Sequence, residues 1–515
     1  MTQGRTRPAI VAAALLCAAL IGAPTAAAAS PSPVLPTSDP FYTYSGSLTN
    51  IAPGTVLKQR PITVYDSGTA TPLSATQVLY RTEGELGQPT VTVATVIRPS
   101  TPALSTKIVS YQMAYDALGP ECDPSYTLQG GNPSGATTNA EEEQLVAAYV
   151  AAGDTAVVPD YEGTSLDWAA GQESGYNTLD GIRAAENLLK LAPAGTPVGM
   201  VGYSGGSIAT EFASELAPTY APKLDIVGVA EGGIPVDMAH NTTYINGSQS
   251  WSGVIPAVLV GLSRSFHLNL TPYLSPYGVK IANQVKDECI NSFFGGYPGL
   301  TYQKLLKPAW QSLYSIPDVA AIDDKLIMGR TGTPKGPLFM GVGDADGTGD
   351  GVMIVKDVEA LAHEYCQRGI SVDFNVYQND DHTAAAVPFE VGAMSFLSSR
   401  LNGLSVSNGC SSIAAGNALT PVPLPPRLKL RYAGPNQKLG GVVLYLHTAT
   451  GSLPGVTVQL NRGRKLIEAL TVGSVGTKRS KFVLRDAGHA LPAGRYAITA
   501  SQPGFVLAKK SFRIR

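Results

Sequence analysis

The strongest constraint on the fold of this 515-residue chain is an alternation of short apolar segments with helix-forming segments. Strand-type segments at residues 106–111, 155–159 and 197–203 are separated by helix-type segments at 140–153 and 177–191. Such alternation is typical of parallel strands covered by helices on both faces. The sequence therefore predicts an α/β fold with a doubly wound sheet.

This pattern is interrupted once along the chain. Between about residues 218 and 336 the alternation weakens, and the segments are aromatic and interrupted by glycine and proline. It then resumes with a strand at 337–342, a helix at 355–368, a strand at 371–378 and a helix at 388–401. An irregular stretch inside a doubly wound sheet predicts an inserted helical cap. We expect an α/β domain over residues 30–416 with a cap at about 218–336.

The C-terminal part has a different composition. Residues 417–426 hold four prolines and predict a stiff linker, and residues 427–515 contain about seven short β-type runs without a helix signal. This spacing predicts a small all-β, immunoglobulin-like sandwich. The module carries 16 lysines and arginines against Glu468 and Asp486, a net charge of +14, whereas the rest of the chain carries −16.

The charge split leaves three roles open for the module. It could be a solvated stabilising domain, it could dock on the acidic domain, or it could attach the protein to an anionic cell envelope or a lipid–water interface. We expect no nucleic-acid partner and no cofactor.

The N-terminus predicts export. Arg5 and Arg7 precede an apolar run that is too short to span a bilayer, and a small-residue segment ends near Ala29, which together are typical of a signal peptide over residues 1–29. No second run of about 18 apolar residues follows, so no transmembrane segment is predicted. We expect a secreted, extracellular protein.

Four cysteines remain after Cys17 leaves with the signal peptide. An even number in an oxidising compartment predicts two disulfides with three possible pairings. Sequence spacing favours a local pair, Cys366 with Cys410, which leaves Cys122 to bond with Cys289.

One motif suggests nucleophilic chemistry. Gly202-Tyr203-Ser204-Gly205-Gly206 matches G-x-S-x-G and lies between an apolar strand and a helix-forming segment. The motif alone is weak evidence, because a chain with 55 glycines can match it by chance. A Gly-rich turn without a catalytic role is the alternative. Strand, sharp turn and helix are nevertheless the context that exposes a nucleophilic serine.

A serine hydroxyl needs a base and an acid to activate it. His382 follows the last predicted strand and lies C-terminal to the acid candidates, as the order Ser, acid, His requires. The loop 343–351 offers Asp344, Asp346 and Asp350, and its Gly/Asp-rich composition also allows a calcium loop, although it lacks the ligand ring of an EF-hand. Position alone does not choose among the three aspartates.

Several longer motifs resemble the secretory lipase family, the family of Candida antarctica lipase A. They cover about residues 39–410 and include Lys107-Ile-Val-Ser-Tyr-Gln112, Tyr115-Asp116-Ala117, Val158-Pro-Asp-Tyr-Glu-Gly163 and Tyr365-Cys366. The resemblance implies ester hydrolysis under a helical cap, and it supports both disulfides. It also implies an oxyanion hole from the backbone of Asp116 and Gly205, and it favours Asp350 as the acid.

The sequence thus predicts a lipase that hydrolyses triacylglycerols or related lipophilic esters through an acyl-enzyme on Ser204, without a metal. The apolar segment 252–262 could line an acyl tunnel or simply pack the cap on the sheet. Alternatives within the chemistry are a secreted esterase, a polyester depolymerase or an acyltransferase of envelope lipids. A serine peptidase on the same fold is the nearest rival in chemistry, and a non-catalytic surface-binding protein is the alternative from another class.

Overall fold

A computed structural model describes residues 32–515 except 67, 102–104, 424–425, 437–439, 450, 487–489 and 503–504. The predicted signal peptide therefore lies outside the described residues. Within them, no helix combines the length and the apolar character that crossing a bilayer requires.

A nine-stranded sheet forms the centre of the larger part of the chain. Its strand order is β1-β2-β3-β5-β4-β6-β7-β8-β9. The first three strands form an antiparallel meander whose last strand pairs antiparallel with β5, and the six strands from β5 to β9 run parallel to one another. The strands are β1 Val56–Asp66, β2 Thr69–Glu83, β3 Pro89–Arg98, β4 Ile108–Gln112, β5 Thr155–Pro159, β6 Pro197–Tyr203, β7 Asp225–Gly232, β8 Leu338–Asp344 and β9 Val372–Gln378.

Helices cover both faces of this sheet. α3, α4 and α11 pack on one hydrophobic core, α2 and α12 pack on the other, and α5 to α10 form the segment between β7 and β8. The helices are α1 Pro124–Thr127, α2 Thr137–Ala151, α3 Gly171–Leu189, α4 Gly205–Tyr220, α5 Met238–Tyr244, α6 Val254–Ser265, α7 Pro276–Val285, α8 Ile290–Phe293, α9 Tyr302–Leu305, α10 Pro317–Leu326, α11 Val355–Gln367 and α12 His382–Leu401. The predicted α/β core is confirmed.

Strand β6 illustrates why the apolar segments are continuous rather than alternating. Val198 and Met200 face the core beneath α3 and α4, and Val201 and Tyr203 face the core beneath α12. A strand buried on both faces needs apolar residues at every position. The sequence of β6 therefore predicts its central location.

Two elements differ from the sequence prediction. The predicted cap of 218–336 includes β7, a strand of the central sheet, so the helical insertion begins only after Gly232. Gly228 and Glu231 interrupt the apolar pattern of β7 and conceal it. Helix α12 begins at His382 and not at residue 388. Proline is typical of the first turn of a helix, so Pro388 suggests a helix start, but it lies in the second turn of α12.

Two disulfides link segments that are distant in the sequence. Cys122 bonds with Cys289 and joins the loop after β4 to the helical insertion, over a separation of 167 residues. Cys366 bonds with Cys410 and joins α11 to the chain beyond α12. These are the pairs that the spacing favours.

The C-terminal module consists of two antiparallel sheets. One has the order β10-β11-β14 and the other β13-β12-β15-β16, with a shared apolar core. Arg427 forms an ion pair of 2.9 Å with Asp318 of α10, where the module meets the insertion. The strands are β10 Leu428–Asn436, β11 Gly441–Thr448, β12 Leu453–Arg462, β13 Lys465–Val475, β14 Ser480–Arg485, β15 Gly494–Gln502 and β16 Phe505–Ile514.

Candidate active site

Ser204 stands on the sharp turn between β6 and α4. Its backbone has φ 54° and ψ −122°, a conformation that non-glycine residues rarely adopt, and its N–H donates to the Gly232 carbonyl at 2.9 Å. A Cβ atom at Gly206 would lie 1.9 Å from the Gln112 carbonyl oxygen. The turn therefore requires glycine at position 206 and projects the Ser204 side chain beyond the sheet.

Three side chains form one hydrogen-bonded chain above the sheet. The Ser204 Oγ lies 2.7 Å from the His382 Nε2. The His382 Nδ1 lies 2.7 Å from the Asp350 Oδ2. Such a chain lets the imidazole take the serine proton while the carboxylate fixes the tautomer.

Asp350 is buried and held by its own loop. Its Oδ1 accepts hydrogen bonds from the N–H groups of Val352 at 3.0 Å and Met353 at 2.7 Å. The N–H of His382 donates to the Asp350 carbonyl at 2.9 Å. One oxygen is thus occupied by the backbone, and the other remains directed at the imidazole.

The His382 ring is also oriented by its neighbours. His382 is the first residue of α12, whose N-cap is Asp381. The Tyr203 hydroxyl donates to the His382 carbonyl at 2.7 Å, and the Trp251 ring meets the imidazole edge to face at 5.1 Å. These contacts restrict the imidazole to the face of the sheet that presents Ser204.

Asp116 lies opposite the serine, in the loop after β4. Its φ of 41° is positive, and no described residue accepts a hydrogen bond from its N–H. Gly205 is the first residue of α4, so its N–H has no acceptor within the helix. Two backbone donors are therefore unoccupied beside the Ser204 Oγ.

The Asp116 side chain packs against Gly205. A Cβ atom at Gly205 would lie 1.5 Å from the Asp116 Oδ1, so any side chain there would displace this carboxyl group. Trp168 Nε1 donates to the same oxygen at 3.2 Å. Burial raises the pKa of Asp116 to about 7, while the nearby His382 and the Trp168 bond lower it.

The other two aspartates of the loop are bonded elsewhere. Asp344 Oδ1 accepts from the Gly347 N–H at 2.8 Å. The Asp346 carboxyl group accepts from the Thr348 N–H and from the Tyr244 hydroxyl, each at 2.8 Å. Across the part of the chain that the structure describes, no group of three or more His, Cys, Asp or Glu side chains has the arrangement of a metal site.

Buried carboxyl groups lie beneath the turn. Glu231 of β7 and Glu211 of α4 are fully buried, and the Tyr365 hydroxyl donates to Glu211. Burial raises the pKa of Glu231 to about 8 and that of Glu211 well above its usual range. Burial therefore favours the uncharged form of both carboxyl groups.

An apolar cleft leads from Ser204 beneath the helical insertion. Its cavity volume is about 60 Å³, and its walls are almost entirely hydrocarbon. Val254 and Val258, one turn apart on α6, contribute to it, while the remaining apolar side chains of α6 are buried in packing. The other lining residues are Asp116, Trp168, Ala169, Ser204, Gly205, Ile208, Pro235, Met238, Asn241, Thr242, Ile245, Trp251, Ile290, Val352 and Met353.

A family model described as "Secretory lipase" matches residues 129–409, more than half of the chain. The chain belongs to the secretory lipase family. It is an ester-hydrolysing serine hydrolase, and the predicted family membership is confirmed. The match ends before the C-terminal module.

Similar proteins extend the comparison over most of the chain. Lipase A of Arthroderma benhamiae is 33% identical over 75% of this chain and 83% of its own length. A protein of Mycobacterium tuberculosis named "Probable inactive lipase MT1628" is 32% identical over 67% of this chain and 77% of its own. The crystal structure of Candida antarctica lipase A in its closed state covers 77% of this chain and 92% of its own, with 29% identity and a TM-score of 0.69.

Sequence reasoning missed several residues of this secretory lipase. Trp168, which holds the Asp116 carboxyl group, comes from a loop after β5. Trp251, which meets His382, comes from the helical insertion. Neither residue has a local sequence signal, because each reaches the site only through the packing of distant segments.

Proposed function

We propose that this secretory lipase hydrolyses lipophilic carboxylic esters through an acyl-enzyme formed on Ser204. His382 accepts the serine proton during attack and returns it to the leaving alcohol, and Asp350 stabilises the imidazolium. A water molecule then attacks the acyl-enzyme by the same route. The observation that carries the proposal is the continuous hydrogen-bonded chain from Asp350 through His382 to Ser204.

Two backbone N–H groups form the oxyanion hole in this proposal. They belong to Asp116 and Gly205, which line the same cleft as Ser204, and neither N–H has an acceptor among the described residues. Gly205 also lies at the positive end of α4. Donors fixed before the reaction stabilise the tetrahedral oxyanion at little reorganisation cost.

The substrate class follows from the apolar cleft. An acyl chain bound there is removed from water by hydrocarbon walls that include Val254 and Val258. The cleft begins at the proposed oxyanion donors and continues beneath the insertion. We therefore propose that this cleft binds the acyl portion of a lipophilic ester.

Narrowing the cleft tests this function directly. We expect Val258→Phe to lower the ratio of kcat/KM for p-nitrophenyl palmitate to that for p-nitrophenyl butyrate about tenfold, because the ring fills the path of the longer chain. Val258→Ala is the matched control, and its ratio should stay equal or rise. A ratio that is the same in all three proteins would contradict binding of the acyl chain in this cleft.

The family description and the two disulfides support export into an oxidising compartment. We accordingly propose an extracellular enzyme, as the predicted signal peptide implies. One relative is named as a probable inactive lipase. In this chain the complete set of Ser204, His382 and Asp350 supports an active enzyme over a non-catalytic binding protein.

For the C-terminal module we infer an immunoglobulin-like sandwich that binds anionic surfaces. Sheets of three and four antiparallel strands that share one core support the first inference. Lys429, Arg431, Lys481 and Arg485 are exposed on the outer face of β10-β11-β14, and the described outward positions there include no acidic side chain. Cations concentrated on one face attract anionic lipid headgroups.

Vesicles that contain phosphatidylglycerol test the surface-binding role. We expect Arg431→Glu combined with Lys481→Glu to weaken binding at least about tenfold at low salt, and we expect wild-type binding to fall steeply as salt rises. Lys509→Glu combined with Arg513→Glu, at two exposed positions of the other sheet, changes the net charge by the same amount and is the control. Binding that is insensitive to salt, or equally weakened by the control, would contradict this role.

A further inference from the structure

The loop that carries Asp350 is held from outside by the first helix of the insertion. This loop connects β8 to α11, and we call residues 345–354 the acid loop. Asn241 of α5 is buried, and its Nδ2 donates to the Val352 carbonyl at 2.7 Å. Asn241 therefore contacts the loop two residues beyond the proposed acid.

Tyr244 lies about one turn further along α5 and contacts the same loop. Its hydroxyl accepts from the Gly351 N–H at 3.3 Å and donates to the Asp346 Oδ2 at 2.8 Å. A third contact reaches α11, where the His240 Nδ1 lies 3.0 Å from the Asp357 Oδ2. One helix of the insertion thus holds the chain on both sides of the proposed acid.

The peptide groups of Val352 link these contacts to the acid. The Val352 N–H, together with that of Met353, donates to the Asp350 Oδ1, and the Val352 carbonyl accepts from Asn241. Val352 is therefore fixed between the helix and the carboxylate. Its displacement would remove a donor from the oxygen that orients Asp350.

Glycine weakens the restraints within the acid loop itself. Gly347 and Gly351 have positive φ values of 81° and 100°, and glycine restricts the backbone less than any other residue. The contacts from α5 supply restraints that these positions do not.

We propose that Asn241 and Tyr244 are positioning residues that keep Asp350 directed at the His382 imidazole. The proposal rests on the acyl-enzyme function above, in which this imidazole must accept the serine proton. Reacting groups lose rate when they are displaced by a fraction of an ångström to one ångström, so the hold on the acid loop bears directly on kcat. The helical insertion thereby completes the triad as well as covering the substrate.

A role in shaping the apolar cleft is the alternative for Asn241. Asn241, Val352 and Met353 also line that cleft. A side chain that acts only through acyl binding changes KM and affects long chains more than short ones. A positioning residue instead lowers kcat by the same factor for every acyl chain, because all esters use the same imidazole. Kinetics therefore separates the two roles.

Asn241→Leu tests the first contact, because leucine has nearly the same size but cannot donate to the Val352 carbonyl. We expect kcat to fall about tenfold, with KM within about threefold of wild type, for both p-nitrophenyl acetate and p-nitrophenyl palmitate. Asn283→Ala is the matched control, since its amide also donates to a carbonyl within the insertion, that of Val279 at 3.0 Å. Its kcat should equal that of the wild type. A loss confined to palmitate, or seen only in KM, would overturn the positioning role.

The Asp350→Asn variant separates positioning from general damage to the site. A residue that acts through Asp350 has little left to position once the carboxylate is gone. We therefore expect Asn241→Leu to lower kcat less than about twofold when it is added to Asp350→Asn. The residual rate is measured with p-nitrophenyl butyrate at high enzyme concentration. A full tenfold loss in both proteins would show that Asn241 acts independently of the acid and would overturn the proposal.

Tyr244→Phe tests the second contact. It removes one oxygen at a half-buried position, so it remains informative if the first variant does not fold. We expect kcat to fall about fivefold in the wild-type protein and less than about twofold in Asp350→Asn, because the Gly351 N–H loses its acceptor. Tyr273→Phe is the control, since its hydroxyl donates to the Asp318 carboxylate at 2.9 Å elsewhere in the insertion.

Failure of this proposal is distinguishable from failure of the proposed function. An unchanged kcat in Tyr244→Phe, or an equal loss in its control, would overturn the role of Tyr244. A wild-type protein that hydrolyses no ester, or a Ser204→Ala variant that keeps full activity, would instead overturn the proposed function itself.

Discussion

Replacing Ser204 by alanine is expected to lower kcat/KM for p-nitrophenyl esters about a million-fold. The Ser204 Oγ lies 2.7 Å from the His382 Nε2, so its removal leaves the imidazole without a nucleophile to activate. The residual rate is expected to come from the proposed oxyanion donors and from substrate binding. A series of esters from acetate to palmitate, measured with both proteins, gives the ratio directly.

Ser214→Ala serves as the control for this loss. Ser214 lies on the same helix, α4, and its hydroxyl donates to the Glu211 carbonyl at 2.9 Å, away from the catalytic chain. We expect this variant to keep kcat/KM within about threefold of wild type. An alkyl phosphonate should label wild type and Ser214→Ala stoichiometrically but leave Ser204→Ala unlabelled. Labelling of Ser204→Ala at the wild-type rate would contradict the role of Ser204.

The catalytic turn is predictable from the sequence because its determinants are local. Gly202, Ser204 and Gly206 lie within five residues, and the strained turn and the close approach of Gln112 restrict what each position accepts. The order of Ser204 and His382 along the chain follows from the strand order of the sheet. Their contact across 178 residues is a consequence of that topology.

Other features depend on contacts that the sequence does not record. β7 contains Gly228, where a side chain would meet Arg400 of α12, and Glu231, which is fully buried and interacts electrostatically with Glu211 of α4. Both residues weaken the apolar signal of a central strand because their partners lie on distant helices. The start of α12 was predicted too late for a similar reason, since Pro388 is tolerated inside this helix.

The second large effect is expected when Asp350, the proposed acid of the triad, is replaced. Asp350→Asn is expected to lower kcat about 10⁴-fold while leaving KM within about threefold, as when the triad aspartate of another serine hydrolase is replaced by asparagine. The Asp350 Oδ1 already accepts from the Val352 and Met353 N–H groups, so the new amide must direct its NH₂ group at the His382 Nδ1. The imidazole then carries its proton on Nε2, where it cannot accept the proton of Ser204.

Asp346→Asn makes the same chemical change four residues earlier in the loop. Because the Asp346 carboxyl group bonds to Thr348 and Tyr244 and not to His382, we expect kcat within about threefold of wild type. Steady-state kinetics with p-nitrophenyl butyrate compares the two variants under one condition. A larger loss in Asp346→Asn than in Asp350→Asn would transfer the acid role to Asp346, and equal losses would indicate a general effect on the loop. A specific loss in Asp350→Asn alone requires that the carboxylate act through the imidazole.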